Sequence, residues 1–156
     1  MKKILACLVV AGILAALVIV PRAPAASTAP ASAAEPTLPD IVVAGFKEFK
    51  TGGYTAATNA WARDSSLLQD SQTLLALNTY LSQVCNNAGT FVGADIIRVV
   101  NLSANSEVVY ATAKFERQLV FLSFTCYKMG DKWLITMIDA DKDPAKVLPT
   151  NIMSGQ

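Results

Sequence analysis

The chain is expected to fold as an α+β domain, with three N-terminal helices packed on a curved four-stranded antiparallel sheet. Two observations predict it: apolar residues recur at helical spacing from Val42 to Ala88, and the period then changes to two for the rest of the domain. A third makes the alternating half a meander, because tight connections stand at Glu116-Arg117-Gln118-Leu119 and Met129-Gly130-Asp131-Lys132.

The first helix is expected at Thr37-Leu38-Pro39-Asp40, which supplies an N-cap hydroxyl, a proline in the first turn and an acid at N3. Val42, Phe46 and Phe49 continue it, and Thr51-Gly52-Gly53 should stop it. A second helix over 54–63 puts Tyr54, Ala57 and Trp61 on one face. Asp70 or Ser71 caps a third, on which Leu74, Leu77, Leu81, Val84, Cys85 and Ala88 fall within about 100° of arc and form one stripe. Asn86-Asn87-Ala88-Gly89 ends it.

Pairing outward from the first strand connection sets Phe115, Ala113, Ala111 and Val109 opposite Val120, Leu122, Phe124 and Cys126, an entirely apolar or thiol face. The second connection places Ile135 beside Cys126 and Met137 beside Phe124. Keeping Arg98 off that face selects Ile97 and Val99 as the inward residues of the first strand.

Ahead of this domain, residues 1–34 read as a signal peptide with an Ala/Pro-rich processing segment. Lys2 and Lys3 precede seventeen uncharged residues (4–20), and Ala-x-Ala sites follow at Ala23-Pro24-Ala25 and Ala31-Ser32-Ala33. The mature chain is expected to be periplasmic or secreted, or held at the inner membrane if the segment is retained as an anchor. Residues 35–150 make the single domain, and 151–156 a flexible tail.

Composition excludes several functions. The N-terminal segment takes three of the 13 basic residues and none of the 12 acidic ones, leaving 10 against 12 with no basic stripe, so nucleic acid is not an expected partner. There is no histidine, which removes Ser-His-Asp and Cys-His nucleophilic arrangements and the usual zinc and copper sites. No cofactor and no metal are expected.

The residues that carry a family resemblance are Phe49-Lys50-Thr51-Gly52-Gly53-Tyr54, Trp61-Ala62-Arg63-Asp64-Ser65, Ile96-Ile97-Arg98-Val99-Val100, Phe115-Glu116-Arg117 and Asp141-Lys142-Asp143-Pro144. With them the chain resembles the nuclear transport factor 2-like (cystatin-like α+β cone) superfamily, and within it small exported bacterial members without assigned activity. The resemblance implies a cone enclosing a pocket. Ketosteroid-isomerase-like members place a carboxylate base there, so the aspartates on the apolar face are the ones to test. The register above puts Asp95, Ala113, Leu122 and Asp139 in one row, with the two acids roughly 14 Å apart at about 4.8 Å per strand. That separation leaves Asp139 alone as a catalytic candidate.

Tyr54, Trp61, Tyr80 and Trp133 are candidate ligand-lining residues, being apolar with one polar tip. Cys85 and Cys126 are the thiols remaining after export, and a bridge between them stays open. It would stabilise by about 4 kcal/mol in the chain-entropy model, yet a helix rides about 10 Å above its sheet and a disulfide needs Cα atoms within about 7 Å. The expected function is a non-catalytic ligand-binding or protein-interaction module of the cell envelope. Its partner would be a small apolar ligand or an envelope protein, with a homodimer admitted and a membrane only through a retained anchor. The alternative is a small-molecule isomerase, lyase or hydrolase using a carboxylate inside the cone.

Overall fold

The computed structural model describes residues 38–65 and 70–155. Its first helix, α1 (Asp40–Trp61), opens on Pro39 at the N-cap, with the Val42 N–H donating to the Pro39 carbonyl at 3.0 Å. Pro39 and Asp40 thus stand two positions earlier in the helix than expected. Asp40 is the first helical residue, where its charge meets the positive end of the helix dipole, and the expected Thr37 cap lies outside the described residues.

Rather than stopping at Thr51, α1 runs on to Trp61 with one break at Gly53 (φ 75°, ψ −172°), a backbone state open to glycine. The break folds the helix back on itself. Trp61 Nε1 donates to the Val42 carbonyl at 3.2 Å, although nineteen residues of straight helix would hold the two about 28 Å apart. The three expected helices are therefore two long ones: α1, with arms 40–52 and 54–61, and α2 (Ser71–Ala88). Asp70 caps α2 through the N–H groups of Gln72 and Thr73 (3.2 and 3.3 Å) and the Thr73 hydroxyl. Gly89, at φ 86°, ends it.

Four strands follow in meander order: β1 (Phe91–Ser103), β2 (Ser106–Phe115), β3 (Leu119–Met129) and β4 (Lys132–Asp141). The Phe115 N–H donates to the Gln118 carbonyl (2.9 Å), closing the β2–β3 connection over Glu116 and Arg117. That connection is tighter than expected and moves the pairing by two residues, so Ala113, Ala111, Val109 and Glu107 face Val120, Leu122, Phe124 and Cys126. A two-residue shift leaves every side chain on its assigned face. The covered face from Val109 to Phe115 and from Val120 to Cys126 is buried throughout.

Two expectations change face or partner because of bulges, where one extra residue on a strand breaks the alternation. In β4, Ile135 does lie opposite Cys126, but the register slips beside it, so Ile138 and not Met137 faces Phe124. Met137 is 52% exposed on the outer face. In β1, the slip between Ile96 and Arg98 leaves Ile96 opposite Ala111, with Ile97 at the bulge rather than inward; Val99 opposite Val109 is as expected.

After β4 come a 3-10 turn (Pro144–Lys146), capped by Asp143 through the Ala145 N–H at 3.0 Å, and a short α3 (Thr150–Met153). The expected tail from 151 thus begins inside α3, held by the Ile152 and Met153 N–H groups on the Pro149 carbonyl (3.0 and 3.2 Å).

The core lies between the helices and the covered sheet face. Val42, Phe49, Ala57 and Trp61 of α1 and Leu77, Leu81, Val84 and Ala88 of α2 meet the β2 and β3 side chains there. The predicted stripe on α2 is this contact.

Candidate functional site

The space in which a cone would hold a ligand is filled with rings. Phe46, Phe49, Trp61, Phe91, Phe115 and Phe124 form a continuous aromatic cluster, with centroid separations from 4.4 Å (Phe49–Phe91) to 6.4 Å and mostly edge-to-face geometry. Trp61 is fully buried and its indole N–H is satisfied by Val42, so it is a core residue and not a ligand-lining one.

The other expected lining residues are not brought together. Tyr54 and Cys85 line a cleft of about 460 Å³ with Lys50, Gly53, Thr90 and Phe91, opened by the fold-back of α1. Trp133 lines one of about 330 Å³ with Asp40, Arg63 and Asp131, and the Lys128 ammonium lies 5.8 Å over its ring. Tyr80 lines a third, of about 350 Å³, between α2 and β4 beside Asp139. Its hydroxyl is buried, with the Lys142 backbone N–H nearby but no hydrogen bond of good geometry. Burial pushes the phenol up, Asp141 adds to this, and the Lys142 backbone N–H opposes it.

The two aspartates stand on the outer face, not the apolar one. Asp139 pairs with Ser123 and not Leu122, because of the bulge in β4, and accepts from the Ser123 hydroxyl at 3.3 Å. Asp95 pairs with Thr112 and not Ala113, and takes the Lys114 ammonium at 2.9 Å. Neither acid belongs to the apolar core.

The acid that does face inward is Glu107. On β2 it continues the row Val109, Ala111, Ala113, Phe115 and lies between Asn101 of β1 and Cys126 of β3. It is 2% exposed, and its Oε1 has no hydrogen-bond partner. Burial raises its carboxyl, with Lys128 pulling the other way. The same burial, reinforced by the Glu107 charge, pushes the Cys126 thiol up to about 12, and Sγ lies 3.8 Å from the Phe124 carbonyl. Thiolate chemistry at neutral pH is thereby closed to Cys126. Strict alternation back from Val109 identifies Glu107 from the sequence alone.

Cys85 and Cys126 are both free thiols. Thiol titration of residues 35–156 under denaturing, non-reducing conditions is expected to return both, and in the folded protein Cys126, fully buried, should alkylate far more slowly than Cys85. Loss of the pair from the titration would contradict this arrangement.

Glu107 also sets a pH dependence. Its folded-state pKa is raised, so below the ordinary value of 4.5 both states hold the proton and nothing is lost. As pH rises past that value the unfolded chain releases its proton first, so stability falls. Glu107→Met should therefore leave stability near wild type at pH 4 and raise it at pH 7 by about 1 kcal/mol or more. A variant less stable than wild type at pH 7 would mean that the carboxylate is satisfied.

Among the described residues no group of three His, Cys, Asp or Glu side chains is placed to hold a metal ion, and no helix is long and apolar enough to cross a membrane. The N-terminal signal or anchor segment lies outside the described residues. Compared with known proteins, the chain matches no family model, no curated protein and no solved structure.

Proposed function

We propose that this chain is an exported, non-catalytic interaction module of the cell envelope, which works through the outer face of its sheet. One observation carries the reading: large apolar side chains stand exposed on that face while the helices bury the other. Leu119, Tyr127 and Met137 are each about half exposed there, beside Phe121, Val100 and Val108. Neither α1 nor α2 packs on it, since both contribute their apolar residues to the core on the other side. Large apolar side chains gathered on one exposed sheet face suit a contact site.

Export is supported by the basic start, the apolar run at 4–20 and the two small-residue sites. The α+β cone of the nuclear transport factor 2-like superfamily is supported by the helices-then-meander order and by the bulges in β1 and β4, since bulges bend a sheet. A second reading, proton-transfer chemistry by a carboxyl inside the cone, is favoured by Glu107 alone. It requires a substrate to displace the aromatic cluster, and it predicts turnover that Glu107→Met abolishes.

Site-specific photo-cross-linking in cells tests the main reading. A photoreactive residue at Met137 should give a covalent adduct with a protein, while one at Leu75, exposed on α2, should not. No adduct from Met137, or equal adducts from both positions, would overturn it.

A further inference from the structure

We propose that the end of the sheet carrying the β1–β2 and β3–β4 connections is a second contact surface, and that it rests on the lipid bilayer to which a retained N-terminal apolar segment tethers the chain. The inference takes export from the proposed function and does not depend on what the outer face binds.

Antiparallel strands joined as a meander bring alternate connections to the same end of the sheet. Residues 103–106 and 129–132 therefore lie at one end, where the Lys128 N–H donates to the Asn105 carbonyl at 2.8 Å. Each connection carries a large, open apolar side chain. Leu102 is 61% exposed and Met129 60%, and among the described residues only Leu75 on α2 stands further open. They belong to β1 and β3, so about 10 Å separates their strands at about 4.8 Å per spacing, and both can enter one lipid layer. Tyr127 and Trp133 stand behind them as apolar rings with a polar tip, the residue types that settle at the level of lipid headgroups. Lys128, over the Trp133 ring, and Lys132 have stems that lie along apolar surface while the ammonium stays in water.

The point at which the chain enters the domain identifies what this end faces. Asp40 and Ile41, at the start of α1, line the same cleft as Asp131, Lys132 and Trp133 of the β3–β4 connection. The domain is thus entered at the end that bears the two apolar tips. The apolar run at 4–20 lies one short Ala/Pro-rich linker upstream of that entry, so a bilayer holding the run is closest to this end. The opposite end presents Glu116, Arg117, Lys142 and Asp143 to solvent.

Charge does not supply the contact. Lys128, Lys132 and Arg63 near the tips are matched by Asp40, Asp64 and Asp131, and a surface without net charge gains little from anionic lipid. Insertion of Leu102 and Met129 is what holds it. Two side chains inserted part-way rival at most a single acyl chain, whose binding alone is marginal and reversible. The tether makes the contact effective by turning it into an intramolecular one. The strands then stand away from the membrane plane, with the outer face turned sideways and open to partners in the envelope.

Full-length chain reconstituted into phosphatidylcholine vesicles that carry a headgroup-nitroxide lipid tests this. Trp133 emission should be strongly quenched. Trp133→Phe leaves only Trp61, which is fully buried, and should lose several-fold less emission. Leu102→Asp/Met129→Asp should protect Trp133 from the quencher while the protein still floats with the vesicles, whereas Leu75→Asp should not protect it. All three positions are exposed, so circular dichroism and thermal midpoints should match wild type. Replacing part of the phosphatidylcholine by phosphatidylglycerol should change the quenching less than about twofold. A chain that floats but leaves Trp133 unquenched would overturn the bilayer contact, as would quenching that survives the double variant or a chain that stays out of the vesicles. A photoreactive residue at Met129 that couples in cells to a protein instead of lipid would overturn it too. Quenched Trp133 together with no adduct from Met137 would sink the outer-face reading and leave this one standing.

Discussion

Phe124→Ala is expected to cost about 3–5 kcal/mol of folding stability, and Thr125→Ala, its immediate neighbour, about 1 kcal/mol or less. Phe124 is fully buried, 5.1 Å from the Trp61 ring and 5.7 Å from Phe46. Truncation leaves a cavity that those two rings cannot collapse into, because Trp61 is tethered to Val42. Thr125 lies on the outer face between Val108 and Met137 and loses little. Domains of this size are stable by only about 5–15 kcal/mol, so the first substitution removes about a fifth of the total or more. Denaturant midpoints of the two variants check it, and equal losses would mean that β3 presents its other face to the helices.

Gly45→Ala is the second large effect, and its sign runs against helix propensity. Within a helix arm, alanine normally gains about 1 kcal/mol over glycine. Here a Cβ on Gly45 would fall 1.9 Å from Trp61 Nε1 and 2.1 Å from Cδ1. The indole cannot withdraw, being fully buried and held by the Val42 carbonyl, with Phe46 5.3 Å away. The two arms of α1 must then part, which unpacks the ring and strips its N–H of an acceptor. Overpacking costs about 1–3 kcal/mol and an orphaned buried donor a similar amount, so a net loss of about 2 kcal/mol or more is expected. The control reverses the sign: in a Trp61→Ala background the obstacle is gone, and Gly45→Ala should become neutral or stabilising. An equal loss in both backgrounds would contradict the close approach of the arms.

These two residues mark the boundary of what could be read from the sequence. Phe124 was legible because alternation in β3 depends on nothing but its own period, and the two-residue error at the Glu116-Arg117 turn preserved every face. Gly45 was not, since its need for space arises only once Gly53 folds α1 back and brings a residue sixteen positions away against it. Met137 and Asp139 were placed on the wrong face for a different reason. The bulge in β4 inserts one residue opposite an unbroken β3, and Thr136-Met137-Ile138 offers two adjacent apolar residues with no glycine or proline to mark which one turns inward. The same slip draws attention to Asp95 and Asp139, whereas the inward acid, Glu107, continues the row of Val109, Ala111 and Ala113, the best determined in the sheet. Tyr54, Tyr80 and Trp133 are legible in the sequence as aromatics with one polar tip, but residue type alone does not say that they line three separate clefts.

An apolar outer face kept for binding differs from one kept for folding in a single measurable respect. Tyr127→Lys/Met137→Lys places two charges where both native side chains are about half exposed. Differential scanning calorimetry of the double variant beside wild type, at a concentration where any association is dissolved, should give closely matched midpoints, while cross-linking of the full chain from a photoreactive residue at Leu119, on the same face, is lost. A midpoint that collapses with the substitutions, or cross-linking that survives them, would contradict a surface that serves interaction and leaves the fold to the other side of the sheet.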